Sequence, residues 1–443
     1  MEDIKRIYFL GIGGIGMSAI ARYFLQINKE VFGYDKTPSE ITDDLIKDGA
    51  KIQFEDDATF FPENIDLVIY TPAIPKTSAL FNHILSQDIE MIKRSSALGM
   101  ITKDKFTIAV AGSHGKTTVS SMVAHVLKTC GIDCSAFLGG ISSNFNSNYV
   151  FGNDDVVVVE ADEFDRSFMQ LHPNIIVVTS IDTDHLDIYE NKENIVKAFQ
   201  AFVDKLDENG ILIINEKAVE DLNIKSEKVV YGFNNEEYNA TDVALGEDFS
   251  SFQINEDVQK YKLQFNGRHN IENALAAVIV GSMMDIEETE IAKALNGFKG
   301  IKRRFEVLFK SNNYVFIDDY AHHPNEVRST LMSIREIYPN KKLTCVFQPH
   351  LFSRTKDLYL EFAQALDIAD EVLLLDIYPA RELPIEGITS KCILEEMTTK
   401  VKIVSKSEVL EYVKKEKIEV FTTLGAGDIN LINQEIIDIL KKK

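Results

Sequence analysis

An apolar run, Phe106–Ala111, leads directly into Gly112-Ser113-His114-Gly115-Lys116-Thr117, and a helical pattern follows from Thr118 to Lys128. No other feature constrains the fold as sharply. A glycine turn between a strand and a helix points backbone N–H groups at an anion. Lysine adds a mobile positive charge for the outer phosphates, and the Thr117 hydroxyl can ligate magnesium. The turn departs from the longer phosphate-loop consensus at Val110, where a first glycine would fall. It predicts a nucleoside triphosphate site built from Gly112, Ser113, His114, Gly115, Lys116, Thr117 and Thr118. The competing reading is a chance Gly-Lys-Thr in an ordinary turn.

The same alternation of strand runs and helical patterns continues along the chain, which predicts α/β architecture with mostly parallel sheets. Expected strands include Arg6–Leu10, Glu30–Tyr34, Leu67–Tyr70, 175–179, Ile211–Asn215, Leu343–Phe347 and Val420–Leu424. The stretch 228–263 alternates more weakly and predicts an antiparallel edge or subsheet. A chain of 443 residues exceeds one hydrophobic core. Polar Thr102 to Lys105 and Gly297 to Gly300 mark two joints, giving domains 1–103, 104–298 and 299–443. The net charge of −22 argues against nonspecific binding to nucleic acid or an anionic membrane. Cys130, Cys134, Cys345 and Cys392 have no zinc spacing and read as free thiols. The apolar run after Lys5-Arg6 is broken by glycines and no cleavage region follows, so a cytoplasmic location is expected.

Further candidate sites fall at the ends of expected strands, where open α/β sheets gather ligands. Gly11, Gly13, Gly14 and Gly16, with Asp35 beyond, fit a turn that admits a diphosphate, and Asp35 could reach a ribose hydroxyl. Any nucleotide diphosphate fits equally, as does a tight turn without ligand. Thr71 ends the strand Leu67–Tyr70. Glu160 ends the run Val156 to Val159, followed by Asp162 and Glu163, and 182–187 (Asp-Thr-Asp-His-Leu-Asp) ends the next strand. These acids and His185 suit a magnesium site, or else are solvated loops. Asn270 and Asn273 share a helix face, either for a nucleobase or as a cap. Arg304, beside Arg303, follows the second joint, and Asp319, Tyr320, His322, His323, His350 and Arg354 cluster at two later strand ends.

Taken in order, these motifs resemble the Mur ligase family over nearly the whole chain. The motifs are G-I-G-G-I-G-M-S, G-S-H-G-K-T-T, E-A-D-E-F-D, D-H-L-D, G-R-H-N-I-E-N, R-R-F-E, D-D-Y-A-H-H-P-N-E-V and F-Q-P-H-L-F-S-R-T-K-D. The resemblance implies three domains: a Rossmann-like UDP-substrate domain, a central phosphate-loop ATPase domain and a Rossmann-like C-terminal domain. It implies ATP and Mg2+, with UDP-N-acetylmuramate and L-alanine as substrates, an acyl phosphate intermediate, and a monomer or weak homodimer. Carried over by motif, Lys116 serves the transferring phosphoryl group, and Thr117, Glu160 and His185 hold magnesium. Asn270, Asn273, Arg304 and Asp319 serve ATP, Gly11 to Gly16 seat the diphosphate, and Tyr320, His322, His323, His350 and Arg354 form the amino-acid pocket. The family often has a basic residue where this chain has Leu351. Some branches carry a carbamylated lysine; no equivalent is placed after His185, with Lys197 nearby. A tripeptide-joining ligase of the same family, a nicotinamide oxidoreductase and a nonenzymatic nucleotide sensor are the alternatives.

Overall fold

A computed structural model describes residues 4–443 except 183–188, 190, 236, 248 and 381, and leaves the side chain of residue 165 undescribed. The chain divides into two compact units. The first holds the described residues up to Ala244 together with Ser250–Gln264 and His269–Lys299; the second holds Leu245–Phe249, Phe265–Arg268 and Gly300–Lys443.

The first unit opens with five strands, β1 (Arg6–Leu10), β2 (Glu30–Tyr34), β3 (Lys51–Gln53), β4 (Leu67–Tyr70) and β5 (Glu90–Lys93). They pair in parallel in the order β3-β2-β1-β4-β5. Beyond them lie β6 (Phe106–Ala111), β7 (Ser135–Ser142), β8 (Ser147–Val150), β9 (Val156–Glu160), β10 (Ile175–Val178), β11 (Ile211–Asn215), β12 (Glu227–Gly232), β13 (Tyr238–Leu245), β14 (Ser250–Ile254) and β15 (Tyr261–Leu263). Their order is β15-β14-β13-β12-β11-β10-β6-β9-β7-β8. The middle of this sheet is parallel and apolar without alternation because helices cover both faces: Val157, Val158 and Val159 are all fully buried. The expected antiparallel edge is correct only in part. β12 continues the parallel register beside β11, and β14 with β15 forms the antiparallel pair.

One apolar core joins the two sheets of this unit, running from Phe9 and Phe24 through Phe137 and Val159 to Phe199. The helix Arg94–Thr102 is packed closely against the turn after β9. A Cβ on Gly99 would stand 2.5 Å from the carbonyl oxygen of Gln170.

The second unit is built on β16 (Glu306–Lys310), β17 (Val315–Asp319), β18 (Leu343–Phe347), β19 (Glu371–Leu374), β20 (Lys400–Ile403) and β21 (Val420–Leu424). Their order is β16-β17-β21-β18-β19-β20, with only β16 antiparallel to its neighbour. Apolar clusters cover both faces. At the amino end of β19, buried Glu371 is held by Lys342 and Lys400, each at 2.7 Å, and by the Tyr412 hydroxyl at 2.7 Å. Among the described residues no helix is long and apolar enough to cross a membrane.

Candidate active site

In the first unit the phosphate loop joins β6 to the helix Lys116–Thr129. Gly112 at φ 136° and Gly115 at φ 82° occupy backbone conformations that a side chain disfavours. Those angles turn the chain so that Lys116 begins the helix, whose first N–H groups have no acceptor within it. The loop is braced from the end of β10. The Ser113 hydroxyl accepts from Asp182 N at 2.8 Å, His114 N donates to Ser180 Oγ at 3.1 Å, and Thr179 Oγ1 donates to His114 O.

Lys116 Nζ donates to Gly112 O at 2.5 Å and to Glu163 Oε1 at 2.8 Å. Burial pulls its pKa down, but Glu163, Asp162 and Glu160 outweigh burial and raise it, so the group stays an ammonium. Glu160 lies beside Val110 in register and accepts from Gly139 N at 2.9 Å. Thr117 is buried at the helix start, and Thr118 follows it. Lys116, Thr117 and Glu160 therefore meet at neighbouring strand and helix ends. His185 lies outside the described residues.

The helix carrying Asn270 and Asn273 begins at Arg268, so Asn270 sits in its first turn and not at its cap. Both asparagines are buried, 3.5 Å apart, and the Asn273 carboxamide oxygen would lie 2.7 Å from a Cβ on Gly115. Lys197 pairs with Glu193 at 2.8 Å on an exposed helix face and is not among these groups.

The amino-terminal glycine turn lies between β1 and the helix Ile15–Gln26. Asp35 at the end of β2 accepts from Gly13 N at 2.8 Å and from Thr37 N at 3.2 Å, so it supports the turn's backbone. Thr71 packs against Gly11, whose added Cβ would be 2.7 Å from Thr71 Cγ2. Gly14 ends the turn at φ −63°. Gly16 faces Arg94, which the motif reading did not single out. Arg94 Nη2 in turn lies 3.3 Å from Asp162 Oδ2.

In the second unit, Asp319 ends β17 and accepts from Phe305 N and Ala321 N, each at 2.7 Å. Burial dominates and pushes its carboxyl up to about 6 against the pull of Arg304. Arg303 is committed locally to Asp318 at 3.2 Å and to the Gly425 carbonyl at 2.5 Å. Arg304 lies 3.8 Å from Glu326, and both guanidiniums stand over the Tyr320 ring.

Tyr320, His322, His350 and Tyr378 form a row of rings with centroids 5.3, 5.9 and 5.7 Å apart. Burial lowers the His322 pKa, with Glu326 opposing and Arg354 adding to the effect, which keeps the ring neutral at pH 7. His323 differs from these two histidines: it caps the helix Pro324–Ile337, its Nδ1 accepting from Asn325 N at 3.4 Å. Arg354 Nη1 is buried without a hydrogen-bond partner among the described residues. Leu351, between His350 and Arg354, adopts φ 71°, an uncommon strain for a branched side chain. Ser353 donates its N–H and hydroxyl to Glu382 at 3.0 and 2.5 Å. Tyr378 and Glu382 escaped the motif reading because they lie in an irregular segment between β19 and β20.

Family models match three consecutive stretches: the Mur ligase family catalytic domain over residues 6–106, the Mur ligase middle domain over 110–281, and the Mur ligase glutamate ligase domain over 303–432. The chain is 46% identical to a UDP-N-acetylmuramate–L-alanine ligase of Flavobacterium psychrophilum, covering 100% of this chain and 99% of that protein. It is 42% identical to the ligase of the same name from Porphyromonas gingivalis W83, over 96% and 97% of the two chains. Its fold matches the crystal structure of the UDP-N-acetylmuramate–alanine ligase of Thermotoga maritima with a TM-score of 0.85, 29% identity and 99% coverage of each chain. A murein peptide ligase of Psychrobacter arcticus shares the fold at a TM-score of 0.72 and 20% identity, with 99% of each chain covered.

Proposed function

The chain belongs to the Mur ligase family, and we propose that within it the protein joins L-alanine to the carboxylate of UDP-N-acetylmuramate at the expense of ATP, in peptidoglycan precursor synthesis. The geometric observation behind this reading is the Lys116 ammonium, held in a phosphate loop beside the carboxylates that end β9. Full-length similarity to ligases of that name supports the choice of substrates.

A carboxylate is a poor acyl donor. Its oxygen attacks the γ-phosphorus of ATP, releasing ADP and leaving an acyl phosphate. The amine of alanine adds to the carbonyl carbon, and the tetrahedral adduct expels phosphate as the amide forms and the amine loses its proton. Lys116 exchanges Glu163 and the Gly112 carbonyl for phosphate oxygens and offsets charge on the transferring group. The N–H groups at the helix start, Gly115 to Thr118, cradle the other phosphates, while those of Ser113 and His114 are held by Ser180 and fix the loop. Asn270 and Asn273 steady the nucleotide beside the loop.

The Thr117 hydroxyl and the Glu160 carboxylate are the oxygen donors a hard divalent cation prefers, and with His185 they would hold Mg2+, which supplies charge neutralisation for phosphoryl transfer. Among the described residues no three His, Cys, Asp or Glu side chains form a ready metal cluster. Phosphate oxygens and water would complete such a site. Gly11, Gly13, Gly14, Gly16, Asp35 and Thr71 seat the UDP portion. Arg304 and Asp319 serve ATP. Arg354 takes the alanine carboxylate, with Tyr320, His322 and His350 shaping the pocket; His323 holds the helix beneath it. We assign these roles to domains 1–103, 104–298 and 299–443, working in the cytoplasm where UDP-sugars and ATP are available.

The test is phosphate release, with mass detection of the amide, in mixtures of UDP-N-acetylmuramate, ATP, Mg2+ and a panel of amino acids and peptides. Turnover is expected to need all of the first three and to favour alanine. Equal phosphate release without UDP-N-acetylmuramate would overturn the reading. Preference for a tripeptide would move the protein to another branch of the family.

A further inference from the structure

We propose that Arg94 is a substrate-binding residue, donating its guanidinium to an anionic oxygen of the UDP-sugar, and that Asp162 holds that guanidinium when no substrate is present. This rests on the functional reading above and adds a residue to it.

Position is the first argument. Arg94 begins the helix that follows β5, and β5 is reached from β1 through β4 in a parallel sheet. The side chain therefore starts on the same carboxyl edge as the glycine turn, where such sheets gather ligands. It returns to that turn: a Cβ on Gly16 would lie 2.7 Å from Arg94 Nη1 and 3.1 Å from Cδ. A side chain at Gly16 would displace the guanidinium, which fills that space.

The second argument is the partner. Asp162 Oδ1 accepts from Phe164 N at 3.0 Å, which fixes the carboxylate, while Oδ2 meets Arg94 at 3.3 Å. The two side chains are 21% and 34% exposed, so the pair adds little to folding and yields readily to a stronger anion. The packing between these segments is supplied separately by Gly99 against Gln170. The neighbouring residue repeats the arrangement, since Glu163 holds Lys116, the cation of the phosphate loop. Two adjacent carboxylates thus occupy two cations, one at each nucleotide turn. An arginine fork suits either a diphosphate or a carboxylate.

Calorimetric binding without ATP or magnesium, using UDP-N-acetylmuramate and UDP-N-acetylglucosamine, which lacks the lactyl carboxyl, tests this. Arg94→Gln is expected to weaken UDP-N-acetylmuramate binding on the order of 10- to 100-fold. A parallel loss for UDP-N-acetylglucosamine assigns the contact to the diphosphate; a loss confined to the muramate assigns it to the carboxyl. Asp162→Asn breaks the ion pair but keeps an acceptor for Phe164 N, and it is expected to bind at least as tightly as wild type. If R94Q fails to fold, Arg94→Lys is expected to fold and to bind several-fold more weakly. A folded R94Q or R94K that binds like wild type, or a D162N that reproduces the R94Q loss, makes Arg94 a structural brace and overturns the proposal alone. A wild-type chain that ignores UDP-N-acetylmuramate overturns the functional reading with it.

Discussion

The first unit contains the same local device twice, a parallel strand running through glycines into a helix, and the two copies differ in the charged group bonded to the turn's own backbone. At the turn after β1, a carboxylate, Asp35, takes the Gly13 N–H. At the turn after β6, an ammonium, Lys116, bends back over the loop and is held by Glu163. Helix geometry alone therefore does not distinguish the ligands. Beside the guanidinium of Arg94, the first turn offers an acceptor that a sugar or ribose hydroxyl can use; the second offers an ammonium lying over the loop itself, suited to added phosphate. Local shape admits an anion in both places, and side chains from neighbouring strands decide how much negative charge is welcome.

Removing the lysine is the harshest test of that contrast. Lys116→Ala should lower kcat/KM for ATP by at least about three orders of magnitude, the effect expected of a lost charge contact to a transferring phosphoryl group. Circular dichroism should be unchanged. Near-normal turnover at saturating ATP would show that the two turns do not differ in function.

Paired glycine substitutions sharpen the comparison. Gly112→Ala places a methyl group against Thr179 Oγ1 at φ 136° and should cost about 2–4 kcal/mol of stability together with ATP-dependent turnover. Gly14→Ala meets its nearest neighbour at 3.4 Å with φ −63° and should cost under about 1 kcal/mol. Thermal unfolding of both variants decides the matter; equal losses would mean that the turns are equally strained.

A buried carboxyl in the second unit extends the comparison to pH. Asp319 titrates near 6, above its ordinary 3.8, so the folded state holds its proton more tightly than the unfolded one. Its contribution to stability is fully present below pH 4 and is lost as pH rises through 6. Relative to Asp319→Asn, wild type should lose roughly 3 kcal/mol of unfolding free energy between pH 4 and 7. Denaturant titrations at those pH values measure this, and parallel curves would refute it.

The smallest effect is expected at Asp35. Asp35→Asn keeps an oxygen for Gly13 N–H and removes the charge, so KM for the UDP-sugar should change by about 1 kcal/mol or less and KM for ATP not at all. An ATP effect would mean that the two turns communicate.

Much of this arrangement can be read in the residues because it is local. The strand runs at β6, β9 and β10 are apolar without alternation because they are buried on both faces, and the glycine turns announce themselves by spacing. The edge strands β16 and β20 were harder to see. Lys400-Val401-Lys402-Ile403 alternates like any surface segment, and only pairing with β19 makes it a strand. Arg94 is harder still. Its meaning depends on Asp162, 68 residues away, and on a helix that must first pack beside the turn after β9. The roles of single histidines illustrate the same limit. Adjacent His322 and His323 look alike in sequence, yet one joins the ring row and the other caps a helix.

Gly99 gives that packing a mechanical meaning. It lies five residues along the helix from Arg94, roughly 7.5 Å at the usual rise. At Gly99 the helix rests on the Gln170 carbonyl with space for a hydrogen and nothing more. The helix is thus a beam held at one end by β5, where the guanidinium departs, and propped along its length at Gly99. A methyl group at position 99 would be a wedge under that beam, tilting the arginine away from the glycine turn without touching a single substrate-facing atom.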